Sequence, residues 1–167
     1  MGMEENKKMA KDFFGLWDNE YFEKIENADD KKAEIAKLLR EHRMKYLAPN
    51  TILHTPRGDV DFEENTKGQI ALSTALPDLA YKAEEIIAEG DIVMIRYTGS
   101  GIFTNPLGSL SPNGKRIFTN GVWVARIQNG MMVENWVYYD TLGMGQQMVA
   151  RSGSAASLSS SGIRSMR

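Results

Sequence analysis

Two strand-like segments joined by Asn129-Gly130 constrain the fold of this chain more than any other feature. "KRIFTNGVWVARI" lies before the junction and "MMVENWVYYD" follows it. Both segments are rich in β-branched and aromatic residues, and Asn-Gly is a dipeptide that favours tight hairpin turns. The sequence therefore predicts an antiparallel hairpin whose aromatic side chains are divided between the two faces of a sheet.

The register of this hairpin has two solutions. A three-residue loop over 128–130 with a bulged glycine pairs Ile127 with Met131. It places Trp123, Asn135, Val137 and Tyr139 on one face, and an outer face then carries Arg126, Val124, Met132, Glu134, Trp136, Tyr138 and Asp140. A strict two-residue turn shifts the pairing by one residue, pairs Trp123 with Trp136 and turns Asp140 inward. We favour the bulged register.

The rest of the chain indicates an α+β fold. Helical spacing dominates the segments 7–25, 31–47 and 61–76, with Asp29 or Asp30 as the N-cap of the second. Strand patterns dominate from 79 onwards, so an antiparallel meander follows the helices. The expected arrangement is one domain over residues 1–150, in which a curved sheet wraps around helices. The serine-rich segment 151–167 is predicted to be disordered.

Composition excludes several classes of function. The net charge of −2 offers no basic surface for nucleic acid. No apolar run approaches the length of a membrane span, and no secretory signal is evident. The chain has no cysteine and only two histidines, His42 and His54, so no close-spaced metal site is expected. We therefore expect a cytoplasmic protein that binds no metal ion.

Residues 77–148 resemble the SnoaL-like polyketide cyclase family. The likeness extends back to Lys45 and includes His54 in "YLAPNTILHTP", whereas a helical stretch of about 25–44 looks inserted. The matching motifs are Leu76-Pro77-Asp78-Leu79, Glu89-Gly90-Asp91, Arg96-Tyr97-Thr98, Gly101 and Glu134-Asn135-Trp136.

The resemblance implies a nuclear-transport-factor-two-like cone, in which a curved antiparallel sheet and helices enclose an apolar pocket. Family members of known activity close polyketide rings by an aldol reaction, with an aspartate as acid/base and no metal or cofactor. Relatives on this fold include isomerases, dehydratases and non-catalytic binding domains, so fold alone does not define the chemistry. Two positions depart from the family pattern, because Phe103 replaces a frequent histidine and Val137 replaces the acid/base aspartate.

These considerations give a set of candidate site residues. His54 is the candidate base, since a histidine titrates near neutral pH, although a structural hydrogen-bonding role is equally open. Asp140 is an alternative acid/base group, and capping at the end of the strand is the competing interpretation. Asn135 is the third candidate catalytic residue, as a donor to an enolate oxygen. The expected substrate-binding residues are Trp123, Tyr139, Val137, Tyr97 and Phe103.

Two functions remain open from the sequence. One is a cofactor-independent enzyme that transfers a proton next to the carbonyl of an apolar or aromatic small molecule, as a cyclase or isomerase would. The other is a non-catalytic binding domain that has lost its acid/base residues. They differ in whether a titratable side chain reaches the pocket. A homodimer or higher homo-oligomer is expected in either case, because Trp136 and Tyr138 on an outer face need covering.

Overall fold

Six strands and five helices form the part of the chain that the computed structural model describes, residues 2–150. The expected serine-rich tail, 151–167, lies outside these residues. The helices are α1 (Met3–Phe14), α2 (Asn19–Glu26), α3 (Lys31–Tyr46), α4 (Phe62–Ala75) and α5 (Thr141–Val149). The strands are β1 (Leu47–Thr55), β2 (Gly58–Asp61), β3 (Ala80–Glu89), β4 (Ile92–Ile102), β5 (Arg116–Gln128) and β6 (Met131–Tyr139).

The helix boundaries follow local capping chemistry. Asp18, Asp30 and Asp61 each accept a hydrogen bond from the backbone N–H three residues later, and so begin α2, α3 and α4. The segment predicted as one helix over 7–25 is therefore two helices. Gly15 ends the first and Asp18 begins the second, because a glycine and an N-cap in succession terminate a helix more readily than they continue it.

The strands form one curved sheet in the order β2-β1-β6-β5-β4-β3. All neighbouring pairs are antiparallel except β1 and β6, which are parallel. The register of β1 against β6 shifts between Leu47 and Ile52, the interval that contains Pro49, which lacks the N–H that a regular ladder needs. The α+β architecture predicted from the sequence is confirmed, with an unclosed sheet against which the helices pack.

The β5–β6 hairpin contains a two-residue turn and a bulge. Asn129 and Gly130 both have positive φ, 50° and 77°, as in the primed turns that suit a hairpin, and Gln128 pairs with Met131. Val133 is then the extra residue, because Ile127 pairs with Met132 while Arg126 pairs with Glu134.

Because of the bulge, the residues of β6 from Glu134 onwards lie on the faces that the favoured register predicted, although the turn differs from the predicted one. From Arg126 onwards the pairing places Trp123 opposite Val137 and Ala125 opposite Asn135. The prediction of a three-residue loop was wrong, and so was the outer placement of Met132, which is fully buried. The bulge at Val133 exchanges the faces after the turn, and it thereby offsets the shift that a two-residue turn alone would cause.

Candidate functional site

A cavity of about 590 Å³ opens between the concave face of the sheet and the helices. Its wall is largely aromatic, with Phe13, Phe14 and Trp17 from α1 and the following turn, and Tyr81, Tyr97, Trp123 and Tyr139 from the sheet. Alternation along the strands selects these side chains, since every second residue faces the same side. The volume suits a small molecule of two or three fused rings.

Trp123 forms the base of this aromatic wall. Its ring stacks on Phe13 with 5.2 Å between centroids and meets Phe14 edge-on at 5.6 Å. Val137 lies opposite Trp123 on the neighbouring strand and also lines the cavity. Trp123, Val137, Tyr97 and Tyr139 therefore all reach the cavity, as the sequence predicted they would.

Phe103, in contrast, does not line the cavity. It is fully buried in a separate cluster with Leu76, Leu79, Ile117 and Met148. It follows the end of β4, where its backbone hydrogen bonds with Lys115 and Gly114 close the loop between β4 and β5. The predicted substrate contact at Phe103 is therefore replaced by a core packing position.

Asn135 is the candidate catalytic residue that does reach the cavity. It is 2% exposed, and its Nδ2 donates a 2.8 Å hydrogen bond to the hydroxyl of Thr51 on the neighbouring strand. Its Oδ1 is buried and has no hydrogen-bond partner among the described residues. A buried carbonyl oxygen without a donor is unfavourable, so this atom is suited to accept a hydrogen bond from a ligand.

His54 faces away from the cavity. Residues 51, 53 and 55 of β1 line the cavity, so the alternation turns His54 to the outer face, where its ring stacks on Trp136 at 5.2 Å. Its Nδ1 lies 2.8 Å from a carboxylate oxygen of Asp59 and its Nε2 lies 3.1 Å from one of Glu134, so both nitrogens donate hydrogen bonds when the ring is protonated. The hydrogen bonds that the protonated ring donates, first to Asp59 and then to Glu134, raise the pKa of His54. The predicted placement of His54 at the pocket was wrong.

This outer network predicts a pH-dependent contribution to stability. Because the pKa of His54 is raised above 6.5 in the folded chain, its stabilising effect is complete at acidic pH and is lost as pH rises through the folded pKa. The stability advantage of the wild type over H54Q is therefore expected to be larger at about pH 5.5 than at about pH 8.5. Urea unfolding at both pH values measures it, and an advantage that grows with pH would contradict it.

Asp140 caps α5 and is exposed. Its Oδ1 accepts from the backbone N–H of Gly143 at 2.8 Å, whereas its neighbours Tyr139 and Thr141 line the cavity. The capping interpretation of Asp140 is thus the one that its contacts support. The second histidine, His42, is also outside the cavity wall, since its Nε2 donates to the carbonyl of Phe13 at 2.8 Å and burial lowers its pKa.

Several polar residues of the cavity were missed from the sequence. Arg43 is one, and it follows Ile35 and Leu39 on the buried stripe of α3 at four-residue spacing. A charged residue on an apolar stripe is a signal that could have identified it. Further missed polar side chains of the wall include Thr51, Asn65 and Gln69.

The titratable groups of the inner wall are mainly tyrosines. Burial raises the pKa of Tyr81 to about 12, and burial together with the charge of Tyr81 raises the pKa of Tyr97 further. Both hydroxyls stay protonated near neutral pH and can donate hydrogen bonds. Among residues 2–150, Asp61 and Glu64 are the carboxylates that line the cavity, and both are exposed at its mouth.

Two further properties concern metals and membranes. Within the described residues, no group of three or more His, Asp or Glu side chains is placed to hold a metal ion. No helix of residues 2–150 is long and apolar enough to cross a bilayer.

The fold and the cavity together define an open-cone protein of the nuclear-transport-factor-two-like class with an internal, largely aromatic cavity. Residues 30–148 match the model of the SnoaL-like polyketide cyclase family. This match covers more than half of the chain, and the chain belongs to the SnoaL-like polyketide cyclase family. No curated protein matches the chain.

Several solved structures share this fold. AclR from Streptomyces galilaeus is 20% identical, with a TM-score of 0.70 over 88% of this chain and 82% of its own. TsrD from Streptomyces laurentii is 20% identical, with a TM-score of 0.59 over 74% and 99%. A protein from Jannaschia sp. CCS1, whose name places it among SnoaL-like polyketide cyclases, is 19% identical with a TM-score of 0.60 over 74% and 82%. At these identities the likeness establishes the fold.

Proposed function

We propose that the protein binds an apolar, ring-bearing small molecule with oxygen groups in the cavity between sheet and helices. The observation that carries this proposal is a set of buried polar atoms without hydrogen-bond partners among the described residues. Three of them belong to cavity-lining residues: Trp17 Nε1, Thr119 Oγ1 and Asn135 Oδ1. A donor, a hydroxyl and an acceptor inside an aromatic wall match a ligand that carries hydroxyl and carbonyl groups.

Asn135 can serve either kind of ligand oxygen. The hydroxyl of Thr51 can accept or donate, so a half-turn of the Asn135 amide keeps the bond between them. In one orientation Asn135 presents its oxygen to a ligand hydroxyl, and in the other it presents its N–H to a carbonyl or enolate oxygen. The residue is therefore matched to a molecule that interconverts between keto and enol forms.

A binding test follows for Asn135. Replacing Asn135 with alanine is expected to weaken binding of 6-hydroxy-1-tetralone about threefold to tenfold, because one buried hydrogen bond is lost. Binding of the hydrocarbon tetralin, which has no oxygen, is expected to stay unchanged. Quenching of tryptophan fluorescence measures both, since Trp17 and Trp123 line the cavity.

Asn120→Ala is the matched control, because Asn120 is an exposed asparagine on β5 that does not line the cavity. It is expected to leave both affinities unchanged. Equal affinity of the wild-type protein for hydroxytetralone and tetralin would contradict the proposed role of the buried polar atoms in binding. Failure of both molecules to bind would contradict the pocket itself.

Cyclase-like or isomerase-like turnover is the second candidate function, and membership of the family favours it. In such a reaction, Asn135 and Tyr97 would donate hydrogen bonds to an enolate oxygen of the substrate. His54 and Asp140 would take no part, since one lies on the outer face and the other caps α5. The proton would leave to Asp61 or Glu64 at the mouth or to solvent.

Proton exchange separates turnover from binding alone. If the pocket promotes enolisation, the protein is expected to accelerate exchange of the protons next to the carbonyl of 6-hydroxy-1-tetralone in D2O, as followed by NMR. Asn135→Ala is expected to slow this exchange, while H54Q leaves it unchanged. If the ketone binds but its protons exchange no faster than in buffer alone, turnover is contradicted and binding alone is the function.

We also propose that the outer face of the sheet forms a homodimer interface. Phe118 and Tyr138 project from this face and are 60% and 56% exposed in the single chain. Exposed aromatic rings on one face of a sheet favour covering by a partner surface. Size-exclusion chromatography with light scattering measures the mass of the protein in solution. A monomer at micromolar concentration would contradict the proposed homodimer.

A further inference from the structure

Arg43 places a positive charge in the wall of the cavity without a carboxylate beside it. Its side chain reaches the cavity from α3, and the residue is 8% exposed. Within residues 2–150, no Asp or Glu oxygen lies within 4.0 Å of its nitrogens. A buried charge without a partner is unfavourable, so its retention in a cavity wall points to a counter-charge from outside the chain.

The guanidinium of Arg43 remains charged despite its burial. Burial lowers its pKa to about 10, which still leaves it protonated near neutral pH. The cavity therefore contains a permanent cation among aromatic rings.

Two neutral side chains of α4 hold the guanidinium in one orientation. Arg43 Nε donates to the hydroxyl of Thr66 at 3.0 Å, and Nη2 donates to Asn65 Oδ1 at 2.7 Å. The Thr66 hydroxyl itself donates to the carbonyl of Phe62 at 2.6 Å, so its lone pair is directed at Arg43. These bonds leave Nη1 without a protein acceptor among the described residues. The guanidinium is thus fixed in position and still has N–H groups that can donate to a ligand.

Neither carboxylate of the cavity wall forms an ion pair with Arg43 among the described residues. Asp61 and Glu64 lie at the exposed mouth, and Asp61 Oδ1 accepts from the backbone N–H of Glu64 to begin α4. Arg57 is also exposed at the mouth, whereas Arg43 is the buried charge of the cavity wall.

We propose that Arg43 binds a carboxylate of the ligand, so that the cavity selects an apolar acid over the corresponding neutral ester. This inference rests on the proposed binding function and specifies its ligand class. A carboxylate carries one charge, which balances one guanidinium, and its planar shape matches the donors of that group. The aromatic wall then encloses the apolar part of the same molecule.

The test compares 2-naphthoic acid with methyl 2-naphthoate near pH 7, by titration against the fluorescence of the cavity tryptophans. Wild-type protein is expected to bind the acid at least tenfold more tightly than the ester. R43Q is expected to weaken binding of the acid about tenfold to a hundredfold, because a charge-assisted hydrogen bond is lost. It is expected to change binding of the ester less than threefold.

R40Q and R43K are the matched variants. R40Q removes a positive charge from the same helix outside the cavity, where Arg40 pairs with Glu63 on the surface, and is expected to preserve the preference for the acid. R43K keeps the charge but loses the planar donors, so it is expected to retain a reduced preference. Circular dichroism of each variant checks the fold, and the wild-type comparison of acid with ester stands even if R43Q does not fold.

Each contrary result has a separate meaning. Equal wild-type affinities for acid and ester would overturn the inference and leave the proposed pocket intact. Equal loss of both ligands in R43Q would assign Arg43 to holding α3 against α4 instead. Failure of both ligands to bind, together with hydroxytetralone, would overturn the proposed function as well.

Discussion

Replacing Trp123 with alanine is expected to lower the free energy of unfolding by about 3 to 5 kcal/mol. Trp123 is 7% exposed, and it stacks on Phe13 and meets Phe14, so the substitution removes packing between the sheet and α1. The space left would join the existing cavity, and the neighbouring rings could fill it only in part. Urea unfolding followed by circular dichroism measures the loss. Because a domain is stable by about 5 to 15 kcal/mol, the variant is expected to be marginal.

Trp136→Ala is the matched control, because Trp136 lies on the opposite face of the same hairpin. Its ring is half-buried between His54, stacked at 5.2 Å, and the guanidinium of Arg126, 5.9 Å from the ring centroid. Such partly exposed contacts are weaker, and the expected loss is about 1 to 2 kcal/mol. Equal losses at Trp123 and Trp136 would contradict the assignment of the two faces.

Replacing Gly121 with alanine is expected to destabilise the protein by about 3 kcal/mol. Gly121 lies opposite Tyr139 in the β5–β6 ladder. A methyl group there would collide with the backbone carbonyl of Tyr138 and lie 2.8 Å from the hydroxyl of Tyr97. The carbonyl belongs to a neighbouring strand and cannot move without opening the ladder. The lining of the cavity at Tyr97 and Tyr139 would shift with it, so weaker binding of hydroxytetralone is expected as well.

Gly68→Ala is expected to change stability in the opposite direction. Gly68 lies within α4, and a methyl group there would meet no atom within 4 Å. Alanine in a helix interior is favoured over glycine by about 0.5 to 1 kcal/mol. The two glycine-to-alanine variants, compared by thermal unfolding, thus separate steric exclusion from backbone freedom. A stabilised Gly121→Ala protein would show that the β5–β6 strand pairing differs from the one described.

The fold was largely predictable because its signals are local. The Asn129-Gly130 turn, the aspartate caps and the change from helical to strand periodicity each act over a few residues. They were sufficient for the α+β class, and the motifs shared with the SnoaL-like family were sufficient for the cone. The bulge at Val133 was not predictable, since no residue there demands an extra position. The ladder with β5 and the parallel contact with β1 determine it.

The site was predictable mainly on β4, β5 and β6, which supply part of its aromatic lining and Asn135. Trp123, Val137, Tyr97 and Tyr139 follow from strand alternation once the faces are assigned. His54 was misplaced because its strand pairs with β6 across about 80 residues, and the side on which it faces depends on that pairing. Arg43 was missed because its neighbours Thr66 and Asn65 belong to another helix, and an arginine in a helix looks exposed until the packing is known.

The sequence by itself determined most of the helical and strand segments, and that the aromatic residues of the hairpin are divided between its two faces. Capping, turn geometry and alternation decide these properties through atoms that are close along the chain. Only the tertiary structure decided that the candidate base lies outside the cavity, that Asp140 caps a helix, and that an unpaired arginine lies within. Those properties depend on which distant segments come together. Burial leaves a polar side chain either without a hydrogen-bond partner, which is unfavourable, or in a position to bind a ligand.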